Sequence, residues 1–487
     1  DSWQPLPMPP DRSSNPLELS AERMRSLVDA AMERIVEHVE SLPEQPSAAT
    51  EGGVELAREL LEPVAPEDGV PEGELLDLLF ERAVPVSFNT AGPGYLAYIP
   101  GGGLFQSAVA DLLSSSFNRY TGVFAAAPAL AQLEANVTRW FADIIGYPAG
   151  ALGILTPGGS LANLTGLVTA RSERLGERFL DGIVYASRES HHSVAKAAVL
   201  AGIPRANLRL LPADARQRLR PDEVRRAVRR DREAGLRPFL INANAGTTNT
   251  GAVDPLDELA ELAREEGLWL HVDAAYGGFF AMTERGRRAL AGIERADSVV
   301  LDPHKGLFLP YGTGALLVRD GGALRRTFSH AADYMPPIQR DPDLVDFSEI
   351  SPELSRPFRG LRVWLPIKMH GLAAFRANLD EKLDLAAWIA GRLEEIRYLE
   401  LVCPPQLSLL AFRLAPPEMD GETADRLNRE LMAAVNDRRR VYLTGTRLDG
   451  RFVLRICVLS FRTHRGRMEM ALEDIRGEVE RALQHPR

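Results

Sequence analysis

Between positions 17 and 44 apolar residues recur at helical spacing: Met24, Leu27, Val28, Ala31, Met32, Ile35, Val36 and Val39 share one stripe of a predicted helix. A stripe of that width has to be buried against something. Residues 42–53, rich in Pro, Glu and Ser, read as a connector. Residues 88–103 hold too much Gly and Pro for a regular element. From about 126 to 320 short runs of Val, Ile and Leu alternate with amphipathic stretches. The runs predict strands over 151–155, 182–186, 208–211, 238–243, 268–272, 298–301 and 315–318. Helices are predicted between most of them, for example over 161–175, 221–234 and 256–266. This alternation predicts an α/β fold with a mostly parallel seven-stranded sheet covered on both faces. Residues 328–358, acidic and poorly periodic, predict a loop over the site. A helix over 361–397 follows. Strands over 408–413, 441–445 and 452–459, with helices over 424–435 and 465–484, then predict a small C-terminal α+β domain. The chain divides on this reading into an N-terminal helical segment (1–110), a large domain (111–370) and a small domain (371–487), in keeping with its 487 residues.

Composition narrows the class of protein. With 45% hydrophobic and 25% charged residues and no long apolar run, the chain reads as globular, with no membrane span. A net charge of −10 argues against nucleic acid and anionic membranes as partners. The first residues lack a basic flank followed by an apolar stretch, so no secretory leader is expected. The two cysteines, Cys403 and Cys457, have no metal-ligand spacing and read as core residues of a cytoplasmic protein that holds no metal.

The chemistry is signalled by one lysine. The chain has four lysines, and Lys196, Lys368 and Lys382 fall in helix-like, mixed-polarity stretches where solvation or ion pairing is the ordinary role. Lys305 instead follows the apolar run Ser298-Val-Val-Leu, in Asp302-Pro-His-Lys. Asp273, 32 residues earlier, closes the run Leu268-Trp-Leu-His-Val. Both fall beyond the carboxyl ends of predicted strands, where ligands sit in such folds. An amine and a carboxylate so placed are what pyridoxal 5'-phosphate requires: the amine holds it as a Schiff base, and the carboxylate keeps its ring nitrogen protonated. Gly158-Gly-Ser160, between a predicted strand and the helix that begins near Leu161, offers free N–H groups for a phosphate, although a lone Gly-Gly-Ser is more often a plain turn. No Gly-x-Gly-x-x-Gly follows the first strand, which argues against a nicotinamide enzyme.

Five motifs lie in order along the chain: Thr156-Pro-Gly-Gly-Ser-Leu-Ala-Asn, Ser190-His-His-Ser-Val, Gly246-Thr-Thr-Asn-Thr-Gly-Ala-Val-Asp-Pro, His271-Val-Asp-Ala-Ala-Tyr-Gly-Gly and Asp302-Pro-His-Lys. In sequence and spacing the chain resembles the group II pyridoxal-phosphate-dependent amino-acid decarboxylases, of the aromatic-L-amino-acid decarboxylase kind. The resemblance implies the fold type I (aspartate-aminotransferase-like) architecture and a homodimer to which the 1–110 segment contributes. It also implies decarboxylation of an L-amino acid to the amine and carbon dioxide. It places His191 flat on the cofactor ring, with His192 kept as structural, and Ala275 against the other ring face. Thr248 falls at the cofactor's edge, Gly159, Ser160 and Leu161 at its phosphate, and Asp302 and His304 beside Lys305.

Two positions depart from the family pattern. Gly306 follows the lysine where many relatives carry Trp or Met. Aromatic-amino-acid decarboxylases carry a loop tyrosine that protonates Cα, and counting back 11 residues from Phe358 gives Phe347, which has no hydroxyl. Phenylalanine there is associated in that family with aldehyde formation by decarboxylation and oxidative deamination, so an aldehyde-forming enzyme is the alternative, with a non-catalytic cofactor-binding protein as a third. Tyr334 and His191 are the candidate proton donors. Tyr98, Ile99, Pro100, Gly101 and Phe124 are, with Phe347, the candidate substrate pocket. Their apolar character favours an aromatic side chain, and Arg356 is the one arginine considered for a second substrate carboxylate.

Overall fold

The computed structural model describes residues 17–330, 341 and 343–484. The chain forms two compact units, Asp1–Asn89 and Thr90–Arg487.

The first unit is helical. Its long helix, Ala21–Ser41, starts at Ser20, whose side chain accepts the Arg23 N–H at 3.2 Å. None of this helix's residues is buried, and Met24, Leu27, Val28 and Val36 of the predicted stripe stay exposed within the chain. Helices Gly53–Glu59 and Glu72–Asp77 follow, the latter running into the wider turn Leu78–Ala83.

The second unit is built on a seven-stranded sheet: β1 Leu152–Thr156, β2 Gly182–Ser187, β3 Leu208–Leu211, β4 Arg237–Asn244, β5 Trp269–Asp273, β6 Ser298–Leu301 and β7 Gly314–Val318. All seven predicted strands are present. Their order is β1-β7-β6-β5-β4-β2-β3, and β7 alone runs against the direction of the other six. Alternate residues serve two cores. Leu155, Tyr185, Val299 and Leu317 join one, and Ile154, Val184, Val300 and Leu316 the other. Both faces are therefore dry, which is why these strands read as continuous apolar runs.

A buried ion pair ties this unit together. Glu134, on the helix Pro128–Ile145, accepts from Arg356 Nη2 and from the Gly360 N–H at 2.9 Å, and both side chains are almost wholly out of solvent. Arg356 is thereby committed to Glu134. Glu134→Ala leaves an uncompensated buried guanidinium, so stability is expected to fall by about 3–5 kcal/mol, read from urea unfolding.

The small sheet comprises β8 Leu399–Leu401, β9 Leu409–Leu414, β10 Thr444–Leu448 and β11 Arg451–Cys457, in the order β10-β11-β9-β8. Three details differ from expectation. The strand placed at 441–445 is shifted to Thr444–Leu448, because Asp449 (φ 48°) and Gly450 (φ 80°) form a two-residue hairpin turn that pairs Leu448 with Arg451. The three-residue β8 was not anticipated. The helix predicted over 361–397 is two helical pieces within Gly360–Glu394, broken at Gly371 (φ 70°).

Candidate active site

β1 ends at Thr156, and the chain turns through Pro157 and Gly158 into the helix Gly159–Leu175. First-turn N–H groups have no carbonyl partner within their own helix, so this end is suited to an anion. β5 ends at Asp273, and β6, its parallel neighbour, leads into the turn Pro303–Gly306 that carries Lys305. These ends line one cavity of about 350 Å³. Gly159, Ser160, Leu161, His191, Thr248, Asp273, Ala275, Asp302, His304 and Lys305 all line it.

Close packing makes this convergence possible. A Cβ at Gly159 would lie 2.9 Å from Asp302 Oδ2, and one at Gly314 would lie 2.5 Å from the Gly158 carbonyl carbon and 2.8 Å from Asp302 Oδ1. A Cβ at Gly101 would fall 1.9 Å from the His304 carbonyl oxygen. Gly306 has a similar origin: a Cβ there would meet Phe279 Cβ at 2.8 Å, so Phe279 occupies the space a larger residue after the lysine would need.

Lys305 Nζ lies 2.8 Å from Asp302 Oδ2. Burial pushes the amine's pKa down, but Asp302, with help from Asp273, outweighs it and holds the amine above its ordinary range. Asp302 Oδ1 is buried with no hydrogen-bond partner, so this carboxylate has acceptor capacity to spare beside the cavity. His304 Nε2 is 3.6 Å from Asp302, and its Nδ1 is 2.5 Å from the Thr313 carbonyl oxygen. Burial lowers the pKa of both His304 and His191. The His191 and His192 rings lie 4.1 Å apart, and His192 is exposed.

Several expected pocket residues fall elsewhere. Tyr98, Ile99, Pro100 and Phe124 do not line the cavity. Tyr98 is half exposed, Ile99 and Pro100 are buried, and the Phe124 N–H donates to Asp346 Oδ1 at 2.6 Å. Phe347 opens the short helix Phe347–Ile350 and is fully buried in the core, its ring 4.6 Å from the Arg356 guanidinium carbon. Counting from Phe358 placed it at the site, but an apolar ring at the start of a helix is drawn into the core instead. Tyr334 lies outside the described residues.

The structure also adds lining residues not singled out from the sequence: Pro157, Asn163, Ser193, Asn244, Gly246, Thr247 and Tyr276. Asn163 donates to Asp273 Oδ2 at 2.9 Å, and the Ala275 N–H donates to Asp273 Oδ1 at 3.2 Å. A signal for Asn163 was present: it stands four residues after Gly159, on the same helix face.

The pattern described as "Pyridoxal-dependent decarboxylase conserved domain" matches residues 56–415. The chain belongs to the pyridoxal-dependent decarboxylases. It is 36% identical to the aromatic-L-amino-acid decarboxylase of Bacillus atrophaeus, over 92% of this chain and 94% of that one. It is 30% identical to the phenylacetaldehyde synthase of Arabidopsis thaliana, over 82% and 84%. The solved tryptophan decarboxylase of Catharanthus roseus, in complex with L-tryptophan, superposes with a TM-score of 0.88 at 27% identity, covering 95% of this chain and 99% of that one.

The residues present fit this family's cofactor, pyridoxal phosphate. The cavity combines a helix N-terminus for the phosphate, an amine for the carbonyl carbon and a carboxylate for the ring nitrogen, and a Cβ at Gly159 would crowd it.

Behind the cavity, burial pushes His271 from 6.5 down to about 4, against the opposing pull of Asp273. The unfolded chain takes up this proton below pH 6.5 and the folded one only near 4, so stability declines as pH falls through that window. The cost is about 3 kcal/mol at most. Thermal melts between pH 7 and 4 are expected to fall more steeply for the native protein than for His271→Gln.

Proposed function

We propose that this decarboxylase acts on an aromatic L-amino acid, releasing the amine and carbon dioxide at the cavity around Lys305. The observation that carries the reading is the meeting of Lys305 and Asp273, from adjacent parallel strands, in one cavity with the N-terminus of the helix Gly159–Leu175. When bound, pyridoxal phosphate supplies a carbonyl that captures amines and a ring that takes up the electron pair left by carbon dioxide. Lys305 Nζ would hold the cofactor covalently. Asp302, 2.8 Å away, pairs with the free amine and would keep it at the site. The Asp273 carboxylate stabilises a proton on the ring nitrogen. Gly159 and Ser160 hold the phosphate through backbone N–H groups, with Leu161 beside them. Ala275 would leave room for the ring on one side, while His191 would cover the other and orient the substrate carboxylate. Thr248 meets the ring edge, and Tyr334 is the candidate acid that protonates Cα.

The aromatic preference rests on charge as well as on relatives. Among the described lining residues Lys305 is the only lysine or arginine. Arg356, Arg359 and Arg362 are paired with Glu134, Glu353 and Asp111. A second substrate carboxylate therefore has no cation waiting for it in this part of the site. The exposed stripe of Ala21–Ser41 supports a homodimer, and two buried, unpaired cysteines support a reducing, cytoplasmic setting. Among the described residues no helix is long and apolar enough to cross a membrane.

Likeness to a phenylacetaldehyde synthase keeps the aldehyde-forming alternative in view. Its ground in this chain was Phe347, which does not reach the cavity. The test is mass spectrometry of products from the loaded protein, given L-Phe, L-Tyr, L-Trp, L-DOPA, L-His and L-Glu in air. An amine from an aromatic substrate supports the reading. An aldehyde with peroxide moves the protein to the oxidative alternative, and an amine from L-Glu alone overturns the substrate class.

A further inference from the structure

Two of the groups that face the cofactor are joined to one buried hydrogen-bonded chain. Trp269 Nε1 donates to Ser298 Oγ at 2.8 Å, and Ser298 Oγ lies 2.7 Å from His271 Nδ1. His271 Nε2 lies 2.9 Å from Asn163 Oδ1. The Asn163 amide nitrogen then branches, 2.9 Å to Asp273 Oδ2 and 3.0 Å to Ser193 Oγ. Ser193 Oγ lies 2.8 Å from His191 Nδ1, which also accepts the Ser193 N–H at 3.3 Å. Trp269, Ser298, His271, Asn163 and Ser193 are all buried. A Cβ at Gly166 would come 2.7 Å from His271 Cε1, so a glycine leaves the room His271 occupies.

The direction of every proton in this chain follows from the Asp273 carboxylate, which can only accept. It takes an N–H from Asn163, so Asn163 Oδ1 is turned to His271 Nε2 and accepts from it, and Ser298 Oγ, which accepts the Trp269 N–H, gives its own proton to His271 Nδ1. A neutral His271 then carries its single ring proton on Nε2, pointing at Asn163 Oδ1. With that oxygen fixed as acceptor, the Asn163 NH2 group faces Asp273 and Ser193; the flipped amide would set an oxygen against the carboxylate. Ser193 Oγ accepts from Asn163, and because His191 Nδ1 already accepts the Ser193 N–H, the hydroxyl proton is donated to that same nitrogen. His191 is thereby left with its proton on Nε2.

We propose that Asn163, oriented by Trp269, Ser298 and His271, is a positioning residue that gives Asp273 a fixed donor and, through Ser193, sets His191 as the Nε2–H tautomer. The proposal rests on the roles of Asp273 and His191 given above. It adds that the ring-nitrogen side and the ring-face side of the site are set by one amide. All the supporting groups are neutral, so Asp273 gains a hydrogen bond without a second charge that would compete for the proton it stabilises.

The test has two arms. In the cofactor-free protein with 15N-labelled histidine, NMR is expected to show His191, assigned by its absence in His191→Asn, as the Nε2–H tautomer, and to show that preference weakened in Ser193→Ala, where only the longer Ser193 N–H contact is left. In the loaded protein, Asn163→Ala is expected to weaken pyridoxal phosphate binding roughly ten-fold or more and to shift the visible band of the lysine-linked cofactor. His271→Leu should move the same way and His271→Gln, which restores a donor, should move back. An Nδ1–H tautomer in the native protein overturns the proposal. So does a tautomer unmoved in Ser193→Ala, or a native band and affinity in folded Asn163→Ala. A native protein that forms no lysine-linked band would instead sink the functional reading, while the NMR arm still decides the proton arrangement.

Discussion

Lys305→Ala is expected to give a folded protein that binds pyridoxal phosphate only reversibly, with kcat lowered by ~10³-fold or more, the scale expected for loss of a covalent catalyst. No other lysine can substitute. Lys196 and Lys368 are exposed, Lys382 is fully buried on Glu381 and the Thr463 carbonyl, and none of them lines the cavity. Removing the amine also strips the buried Asp302 of its cation. Borohydride reduction followed by intact-mass analysis provides the check: the native protein should gain one cofactor and the variant none. Covalent cofactor retained in the variant would displace Lys305 from the centre of the mechanism.

The second large effect belongs to Asp273. Asp273→Asn keeps the side chain's size and leaves Oδ1 able to accept from Asn163 or Ala275, so folding should survive. It removes the negative charge that stabilises a protonated ring nitrogen. The expected loss is about 10²- to 10³-fold in kcat, comparable to deleting one electrostatic stabiliser of a developing charge. Cofactor binding should change less than turnover, because the phosphate and Lys305 contacts remain. Equal losses in cofactor affinity and kcat would mean that Asp273 mainly holds the cofactor in place.

The strands other than the edge strand β3, whose Leu210 is exposed, were legible because they are largely dry on both faces, which writes them as near-continuous apolar runs. Asp273 and Lys305 were legible as charges closing such runs. The hairpin at Asp449-Gly450 is a turn signal that sets its strand three residues later than the apolar pattern alone predicts. Asn163 and Ser193 were harder to see. Helical spacing from Gly159 points Asn163 to the site, but the pairs that join it to Ser193 and Asp273 span 30 and 110 positions, and local pattern carries no trace of such pairs. Phe347 shows the opposite hazard, since a count along a poorly periodic segment says nothing of which side chains the core will take up.

The glycines that let Asp302, His304 and the Gly158 turn meet have a consequence for how this protein can change over generations. At positions 101, 159 and 314 even a methyl group would collide with backbone or with the Asp302 carboxylate. A saturation library scored for function should therefore show three almost blank columns there, beside ordinary tolerance at Gly150, whose absent Cβ would meet open space. New specificities would have to be sought around that fixed frame, at the rim of the cavity.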